Sequence, residues 1–234
     1  MQPGTRNSSL AAPQVTPIKA VTFDVGGTLI TPWPSVGHIY AEVAAGHGYA
    51  GVSAELLNQR FSAAWKSFTN FEHSRAQWAA LVDATFIGVI DTLPSHTFFD
   101  ELYERFAEPV AWRIFEEVLP TLNALRSRGF KLGIISNWDE RLRPLLRRLK
   151  LYDYFETIVI SYEVGCTKPA LAAFAQAAKA LATEPGSVLH VGDSLELDVQ
   201  GAQSAGFAAV WLNREEPPSR TGVIASLHDL PELL

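Results

Sequence analysis

VTFDVGGT, residues 21–28, places an aspartate directly after a short apolar run and follows it with a glycine-rich turn. Three other segments also set polar residues just past a predicted strand: GIISN at 133–137, TKP at 167–169 and HVGDS at 190–194, the last with Asp198 downstream. In an open parallel α/β sheet, ligands bind in the crevice outside the carboxyl ends of the strands. The four segments would therefore bring an aspartate, a hydroxyl, an ammonium and an acidic pair to one crevice. Such a set of groups suits a phosphate and a divalent metal.

The spacing of apolar residues predicts strands that alternate with helices after about residue 109. Predicted strands cover 18–23, 130–135, 157–160, 188–191 and 208–212, and predicted helices cover 116–128, 139–150, 169–181 and 198–205. Thr167 is placed to cap the helix at 169–181. The alternation is typical of an α/β fold with a Rossmann-like, doubly wound parallel sheet.

Between about residues 36 and 108 the apolar spacing is helical, and no strand-like alternation interrupts it. This block follows the first strand, so we expect an all-helical cap domain that is inserted into the core and roofs the edge where the four segments end. The predicted organisation is a disordered tail at 1–16, an α/β catalytic core at 17–34 and 110–234, and a helical cap at 35–109.

Composition excludes several classes of function. The chain has 25 acidic and 19 basic residues and a formal net charge of -6, whereas a protein that coats nucleic acid normally has a basic surplus. No apolar run approaches the roughly 18 residues of a membrane span, and residues 1–16 lack the apolar core of a secretory signal. The single cysteine, Cys166, cannot form an intrachain disulfide. We expect a cytoplasmic protein that binds neither nucleic acid nor a membrane.

Asp24 stands where a nucleophile would stand. A carboxylate can attack phosphorus and form an aspartyl-phosphate, which divides one difficult displacement into two easier ones. Gly26 and Gly27 let the backbone approach a phosphate closely, and the Thr28 hydroxyl can donate a hydrogen bond to a phosphate oxygen. The alternative is an ordinary strand-to-loop turn in which the aspartate bonds to its own backbone.

Ser136 and Lys168 are the candidate phosphate-binding groups. A hydroxyl and a backbone N–H after a strand can stabilise the charge that develops on a transferring phosphoryl group, and an ammonium can neutralise that charge. Each residue has a structural alternative: Ser136, Asn137 or Asp139 could cap the next helix, and most lysines are solvated.

Asp193 and Asp198 are the candidate metal ligands. Mg²⁺ takes one or two carboxylates, waters and substrate phosphate. We expect Asp24, Asp193 and the Gly26 carbonyl to bind Mg²⁺ directly, and Asp198 to bind it through water or to orient Lys168. Capping of the following helix by Asp198 is the alternative, and one residue can serve both purposes.

Together the four segments resemble the four motifs of the haloacid dehalogenase-like hydrolase superfamily: D-x-G-G-T at 24–28, S-N at 136–137, K-P at 168–169, and G-D-S at 192–194 with a second aspartate. The resemblance covers about residues 18–214, and the segments at 135–141 and 191–194 resemble the subgroup with a small helical cap inserted after motif one. It implies a Mg²⁺-dependent phosphatase that acts on a small phosphate monoester, as a monomer or homodimer. It also implies catalytic roles for Asp24, Thr28, Ser136, Asn137 and Lys168.

The chain departs from the family pattern at Gly26. Phosphatases of this family usually carry there a second aspartate, which protonates the leaving oxygen and then activates water. Such a group typically contributes about 10²–10⁴-fold in rate. The enzyme is therefore expected to be slow, to favour good leaving groups, or to borrow a group from the cap; the candidates are His38, Glu42, His47 and Glu72.

Three other interpretations of the sequence are considered. A dehalogenase of the same superfamily also uses an aspartate nucleophile, but it has no use for a metal, so Asp193 and Asp198 argue against it. The turn at 24–28 resembles the phosphate-binding turn of actin-like sugar kinases, but prolines and a helical run follow it here. The third is a binding protein that keeps the fold and has lost turnover with Gly26.

Overall fold

The computed structural model describes residues 17–215 and 222–234; the tail predicted at 1–16 lies outside them. A six-stranded sheet forms the centre of the described chain, and all of its strand pairs are parallel. Its order is β5-β4-β1-β6-β7-β8, from β1 Ala20–Phe23, β4 Lys131–Ser136, β5 Thr157–Ile160, β6 Val188–Gly192, β7 Ala208–Leu212 and β8 Val223–Ile224. The predicted parallel α/β sheet is confirmed. The sequence analysis missed only the two-residue strand β8 of this sheet.

Alternating side chains of the central strands enter two separate apolar layers, one on each face of the sheet. Val21 and Phe23 of β1 lie in a layer with the apolar faces of α5 Val118–Ser127 and α6 Leu142–Arg148. Ala20 lies in the other layer, with α8 Leu171–Ala180 and the short α9 Gly201–Ser204. Burial on both faces explains why these strands are mostly apolar; the polar exceptions Thr22 of β1 and His190 of β6 are hydrogen-bonded to each other.

Three helices begin later than predicted: α5 by two residues, α6 by three and α8 by two. Helix α6 starts at Leu142, because Asp139 pairs with Arg141 in the preceding loop and does not enter the helix. Helix α8 starts after Ala170, and no side chain of the described residues caps it; the Thr167 carbonyl accepts a hydrogen bond from the Ala170 N–H. The helix predicted at 198–205 is a π-helical turn, Leu195–Gln200, that continues into α9.

The helices between β1 and β4 form a third apolar cluster, around Tyr40, Leu57 and Phe86. They are α1 Val36–Gly46, α2 Ala54–Ser67, α3 Arg75–Phe86 and α4 Phe99–Arg105. Outside this segment, the four-residue helix α7 Ser161–Val164 follows β5. Serines 35, 53 and 74 accept backbone hydrogen bonds at the beginnings of α1, α2 and α3, as serine does at many helix N-termini. Within the described ranges, no helix combines the length and apolarity of a membrane span.

A two-stranded antiparallel sheet lies where the chain enters and leaves this helical segment. It pairs β2 Ile30–Pro32 with β3 Trp112–Ile114, with Ile30 opposite Ile114. The sequence analysis missed it because each strand has only three residues and β2 ends in a proline. The pairing fixes both ends of the helical segment close to the turn that follows β1.

Candidate active site

Asp24 lies at the carboxyl end of the central strand β1 and is almost buried. Its backbone N–H donates to the Val191 carbonyl of β6 at 3.0 Å. Its Oδ1 accepts a hydrogen bond from Ser136 Oγ at 3.0 Å and another from Lys168 Nζ at 2.7 Å. The structure therefore brings the predicted nucleophile, hydroxyl and ammonium into direct contact, because β1 and β4 end side by side.

Lys168 joins two carboxylates inside the protein. Its Nζ also donates to Asp198 Oδ1 at 2.6 Å, and the Lys168 and Asp198 side chains are both 2% exposed. The Asn137 side chain bonds to the backbone of Lys168: its Oδ1 accepts from the Lys168 N–H at 2.7 Å and its Nδ2 donates to the Lys168 carbonyl at 3.0 Å. The Asn137 side chain thus positions Lys168, and among the described residues it makes no hydrogen bond to Asp24; its catalytic role stays a prediction.

Burial and neighbouring charges shift the pKa values of Asp24, Lys168 and Asp198 in opposite directions. Burial raises the pKa of Asp24, against the pull of the Lys168 ammonium. Burial alone would lower the pKa of Lys168, but Asp24 and Asp198 outweigh it and hold that pKa above its ordinary value. Burial likewise disfavours the Asp198 carboxylate, yet Lys168 holds the pKa of Asp198 below its usual range. A pKa above its ordinary value keeps the Lys168 ammonium charged at neutral pH.

Three carboxylates converge where the sequence predicts a metal. Ligand oxygens of Asp24, Asp193 and Asp198 all lie within 4.8 Å of one another. Asp193 opens to solvent on one side, but burial of its other side and the charges of Asp24 and Asp198 raise its pKa to about 7. A hard divalent cation would relieve this repulsion, so these residues fit Mg²⁺. Both Asp198 oxygens already accept hydrogen bonds, Oδ1 from Lys168 and Oδ2 from the Ser194 N–H at 2.9 Å.

The turn after Asp24 approaches the acidic cluster very closely. Gly27 has a φ of +74°, and a Cβ at this position would lie 2.2 Å from Asp193 Oδ2. Only glycine meets both conditions. Thr28 is fully buried, and its hydroxyl has no hydrogen-bond partner among the described residues. An unpaired buried hydroxyl at this point is consistent with the predicted bond to a phosphate oxygen.

Arg214 holds this turn in place, and the sequence analysis missed it. Its guanidinium donates to the Gly27 carbonyl at 2.6 Å and to the Thr28 carbonyl at 3.0 Å, and it pairs with Glu117 at 2.7 Å. No local signal could have found it, because Arg214 follows the last predicted strand and belongs to no recognised motif.

The space beside Gly26 is bordered by an indole. A Cβ built at Gly26 would lie 3.4 Å from Trp138 Cζ3, which is ordinary van der Waals contact. The candidates for a borrowed acid are engaged elsewhere or exposed. His38 bonds to Ser35, His47 pairs with Glu101 and Glu42 pairs with Arg105; Glu72 is exposed.

A buried ion pair connects the loop after β4 to the helical segment. Asp139 is fully buried; its Oδ1 accepts from Arg141 Nε at 2.8 Å, and its Oδ2 accepts from Trp78 Nε1 of α3 at 2.8 Å. The Arg141 guanidinium also donates to the Tyr103 carbonyl of α4 at 2.7 Å. The sequence analysis assigned Asp139 no role beyond helix capping, because its partner Trp78 on α3 is distant in the chain, as is the Tyr103 carbonyl on α4 that Arg141 contacts.

His190 is a core histidine whose two ring nitrogens both have hydrogen-bond partners. It is fully buried in β6, with Nδ1 2.9 Å from Thr22 Oγ1 and Nε2 3.2 Å from Asp198 Oδ1. Burial lowers the pKa of His190. The neutral ring can therefore accept from Thr22 and donate to Asp198, which fixes the carboxylate that holds Lys168.

The fold and the site define a parallel α/β protein with a carboxylate, a lysine and an acidic cluster at the carboxyl edge of its sheet. A family model described as haloacid dehalogenase-like hydrolase matches residues 18–206, and the chain belongs to that family.

Two relatives and one solved structure show which members of the family the chain resembles. It is 35% identical to mouse haloacid dehalogenase-like hydrolase domain-containing protein 3, over 86% of this chain and 84% of that one. It is 42% identical to pyrimidine 5'-nucleotidase YjjG of Escherichia coli over 48% of this chain and 53% of that protein. The structure of 2-haloacid dehalogenase from Pseudomonas syringae covers 92% of this chain and 97% of its own, with 30% identity and a TM-score of 0.64.

Proposed function

We propose that this hydrolase is a Mg²⁺-dependent phosphatase that acts on a small phosphate monoester through an aspartyl-phosphate intermediate. The observation that carries the proposal is the contact of Asp24 Oδ1 with both Ser136 Oγ and Lys168 Nζ, beside an acidic cluster. A carboxylate that accepts hydrogen bonds from a hydroxyl and an ammonium is placed to attack phosphorus while these two donors bind the phosphoryl oxygens.

The chemistry divides into two displacements. In the first, an Asp24 oxygen forms a bond to phosphorus, the ester P–O bond breaks, and the departing alkoxide takes a proton from solvent. In the second, water attacks phosphorus and gives up a proton to solvent, the acyl-phosphate P–O bond breaks, and phosphate leaves with the Asp24 carboxylate restored. Ser136, Lys168 and the Thr28 hydroxyl bind phosphoryl oxygens, and Asn137 and Asp198 keep Lys168 in place.

Mg²⁺ would be held by Asp24, the Gly26 carbonyl and Asp193, and Asp198 would act through water or through Lys168. When bound, the ion neutralises charge on the phosphate and fixes its orientation. The residues fit this ion because their oxygens converge and the pKa of Asp193 is raised to about 7 in its absence.

Gly26 makes the proposed enzyme slow. No side chain at this position can protonate the leaving oxygen, and the borrowed candidates His38, His47 and Glu42 have partners of their own. We therefore expect a preference for esters with good leaving groups. The 42% identity to a pyrimidine 5'-nucleotidase over half of the chain supports a phosphate ester as substrate.

A dehalogenase is the second candidate. It is favoured by the 30% identity to a solved 2-haloacid dehalogenase and by Gly26, since that reaction needs no acid at this position. The carboxylates of Asp193 and Asp198 near Asp24 favour the phosphatase, because negative charge beside the nucleophile serves a metal and not an anionic haloacid.

We further propose that residues 17–34 and 110–234 are the catalytic core and residues 35–109 its helical cap. The separate apolar cluster around Tyr40, Leu57 and Phe86 supports the division. The partner would be a small phosphorylated molecule in the cytoplasm, where the single cysteine, Cys166, stays reduced, and the protein would act as a monomer or homodimer.

The experiment is a panel of phosphate esters and 2-chloropropionate, with and without Mg²⁺, for the wild type and Asp24→Asn. Metal-dependent phosphate release that Asp24→Asn abolishes is the expected result. Trapping of the phosphorylated wild type with hydroxylamine, read by mass spectrometry at Asp24, tests the intermediate. Chloride release without metal would establish the dehalogenase. No turnover of either class would indicate a binding protein.

A further inference from the structure

Thr22 and His190 face each other at the centre of the sheet. They are directly opposite in the parallel pairing of β1 with β6, and neither is exposed to solvent. The Thr22 hydroxyl lies 2.9 Å from His190 Nδ1. Removing two polar side chains from water costs free energy that a pair of apolar residues would not incur. Packing alone therefore does not explain this pair.

The other ring nitrogen of His190 leads to the candidate active site. His190 Nε2 lies 3.2 Å from Asp198 Oδ1, the oxygen that also accepts a hydrogen bond from Lys168 Nζ. Lys168 Nζ in turn donates to Asp24 Oδ1 at 2.7 Å. Hydrogen bonds thus connect Thr22 through buried side chains to the proposed nucleophile at the end of the same strand.

The charge of Asp198 decides the direction of these hydrogen bonds. A carboxylate oxygen accepts hydrogen bonds and donates none, so the His190 nitrogen that faces it, Nε2, carries a proton. In the neutral ring, Nδ1 is then left to accept a hydrogen bond from the Thr22 hydroxyl. The alternative acceptor for this hydroxyl, the Leu189 carbonyl, lies farther away, at 3.4 Å. Thr22 therefore orients the ring, and the ring donates to Asp198.

His190 ties Asp198 to the sheet. Among the described residues the Asp198 side chain accepts hydrogen bonds from Lys168, from His190 and from the Ser194 N–H. Ser194 caps the helical turn Leu195–Gln200, which contains Asp198 itself, so its bond does not fix that turn relative to the strands. Of these three donors, only His190 belongs to the central sheet.

Gly192 leaves room for this arrangement. A Cβ at position 192, the last residue of β6, would lie 2.2 Å from Asp198 Cγ. The Asp198 carboxylate therefore rests directly against the strand that carries His190, and its position depends on that strand.

We propose that His190 is a positioning residue for the reaction: its Nε2–H holds Asp198 against the sheet, and Asp198 keeps Lys168 aimed at the transferring phosphoryl group. The need arises when substrate binds, because phosphoryl oxygens then compete with Asp24 for the Lys168 ammonium. Displacement of a binding group by about 1 Å can cost about 10²-fold in rate. The inference rests on the proposed function and adds to it the pair of Thr22 and His190.

The first test compares two anions that fit the phosphate site. Calorimetry with Mg²⁺ in excess measures the affinities of inorganic phosphate and of orthovanadate, which adopts the five-coordinate geometry of the transition state. His190→Phe keeps a ring beside Phe174, whose centroid lies 5.3 Å from that of His190, and removes both hydrogen bonds. Its affinity for orthovanadate should fall about tenfold and its affinity for phosphate about threefold or less, since a misplaced Lys168 costs most in the transition state. An unchanged ratio of the two affinities would overturn the inference.

Two amide variants separate the hydrogen bond to Asp198 from the hydrogen bond to Thr22. The amide of His190→Gln reaches about as far from the backbone as Nε2 does, so it can donate to Asp198. The amide of His190→Asn reaches only as far as Nδ1. We expect the affinity ratio of His190→Gln to stay within about twofold of the wild type, and that of His190→Asn to fall as in His190→Phe. Equal losses in the two amide variants would overturn the inference.

Phe174→Leu is the matched control for packing. It removes the ring that contacts His190 and leaves the hydrogen-bonding groups from Thr22 to Asp24 unchanged. We expect a lower unfolding temperature and the wild-type ratio of affinities. A ratio as low as that of His190→Phe would show that packing sets the position of Asp198, and it would overturn the inference.

Thr22→Val keeps the test available if the variants of His190 do not fold. Valine has the shape of threonine without the hydroxyl, so the variant loses only the donor to Nδ1. The affinity ratio should fall about threefold, because the ring is less firmly oriented. An unchanged ratio in folded Thr22→Val would overturn the inference.

The position of the ring proton is measured independently of any reaction. Nitrogen-15 NMR of histidine-labelled protein, with the His190 signals assigned by their absence in His190→Gln, should show the proton on Nε2. A ring protonated only at Nδ1 would overturn the inference and leave the proposed function intact. Failure of the wild type to bind either anion would instead contradict the proposed function, and the inference would fall with it.

Discussion

The Lys168 ammonium lies 2.7 Å from Asp24 Oδ1, inside the protein. The same ammonium lies 2.6 Å from Asp198 Oδ1, so one buried cation neutralises two carboxylates, one directly after β1 and one in the helical turn Leu195–Gln200. Removal of one partner from such a group leaves charge buried without compensation, which costs far more than the loss of a surface pair. Lys168 is therefore expected to stabilise the fold as well as to bind phosphate.

Replacement of Lys168 by methionine should lower the free energy of unfolding by roughly 3–5 kcal/mol, because Asp24 and Asp198 lose their shared cation. It should also abolish phosphate release. Urea unfolding measures the first effect. Lys179→Met, at an exposed lysine of α8, is the matched control and should change stability by less than about 0.5 kcal/mol. Equal stability of the two variants would contradict a structural role for Lys168.

Introduction of an acid at position 26 should accelerate turnover. Gly26→Asp should raise kcat about 10²-fold for esters with poor leaving groups, since it supplies a proton donor. The Cβ fits, because it would meet Trp138 Cζ3 at 3.4 Å. Gly26→Asn has the same shape without the acid and should show no gain. Equal rates in the two variants would show that the missing acid does not limit the enzyme.

Arg214→Met should weaken substrate binding by loosening the turn after Asp24. The carbonyls of Gly27 and Thr28 lose their donors and Glu117 loses its partner, so we expect KM to rise about tenfold and stability to fall by about 2 kcal/mol. The control is Arg113→Met, which breaks the exposed Arg113–Glu116 pair and should cost no more than about 1 kcal/mol. An unchanged KM in Arg214→Met would show that the turn keeps its shape without Arg214.

Stability should decline in mild acid partly because of His73. Its pKa is about 4 in the folded protein and about 6.5 in the unfolded chain, so between these values the unfolded chain binds a proton that the folded protein excludes. This contribution to the free energy of unfolding is present above pH 6.5 and is lost as the pH falls toward 4. The loss amounts to about 2 kcal/mol by pH 5.

The charged groups that act on His73 are Asp139, Arg141 and Lys168, and they are the same in His73→Phe. The loss of unfolding free energy between pH 7 and pH 5 should therefore be about 2 kcal/mol smaller in His73→Phe than in the wild type. Chemical denaturation at both pH values makes the comparison. Equal losses of unfolding free energy in the two proteins would show that a group other than His73 takes up the proton.

Local patterns predicted the sheet and the contact at its edge. Strands β5 and β7 have the predicted bounds, and β1, β4 and β6 differ from the prediction by at most two residues at either end. Asp24, Ser136 and Lys168 meet because the carboxyl ends of parallel strands share one edge, which is a rule of topology and needs no knowledge of side-chain packing. The bounds of α6 and α8 were less predictable, because loop contacts of Asp139 and Ala170 decide them.

The sequence by itself determined the parallel α/β fold and the residues that converge beside Asp24, since both follow from apolar periodicity and from where strands end. The tertiary structure alone decided which residues support that set. Arg214 reaches Gly27 across 187 positions of the chain, and Trp78 reaches Asp139 across 61. The unpaired Nδ1 of His73 likewise depends on the packing of rings around it. Such contacts arise when separate segments are buried against each other, and no local pattern of residues encodes them.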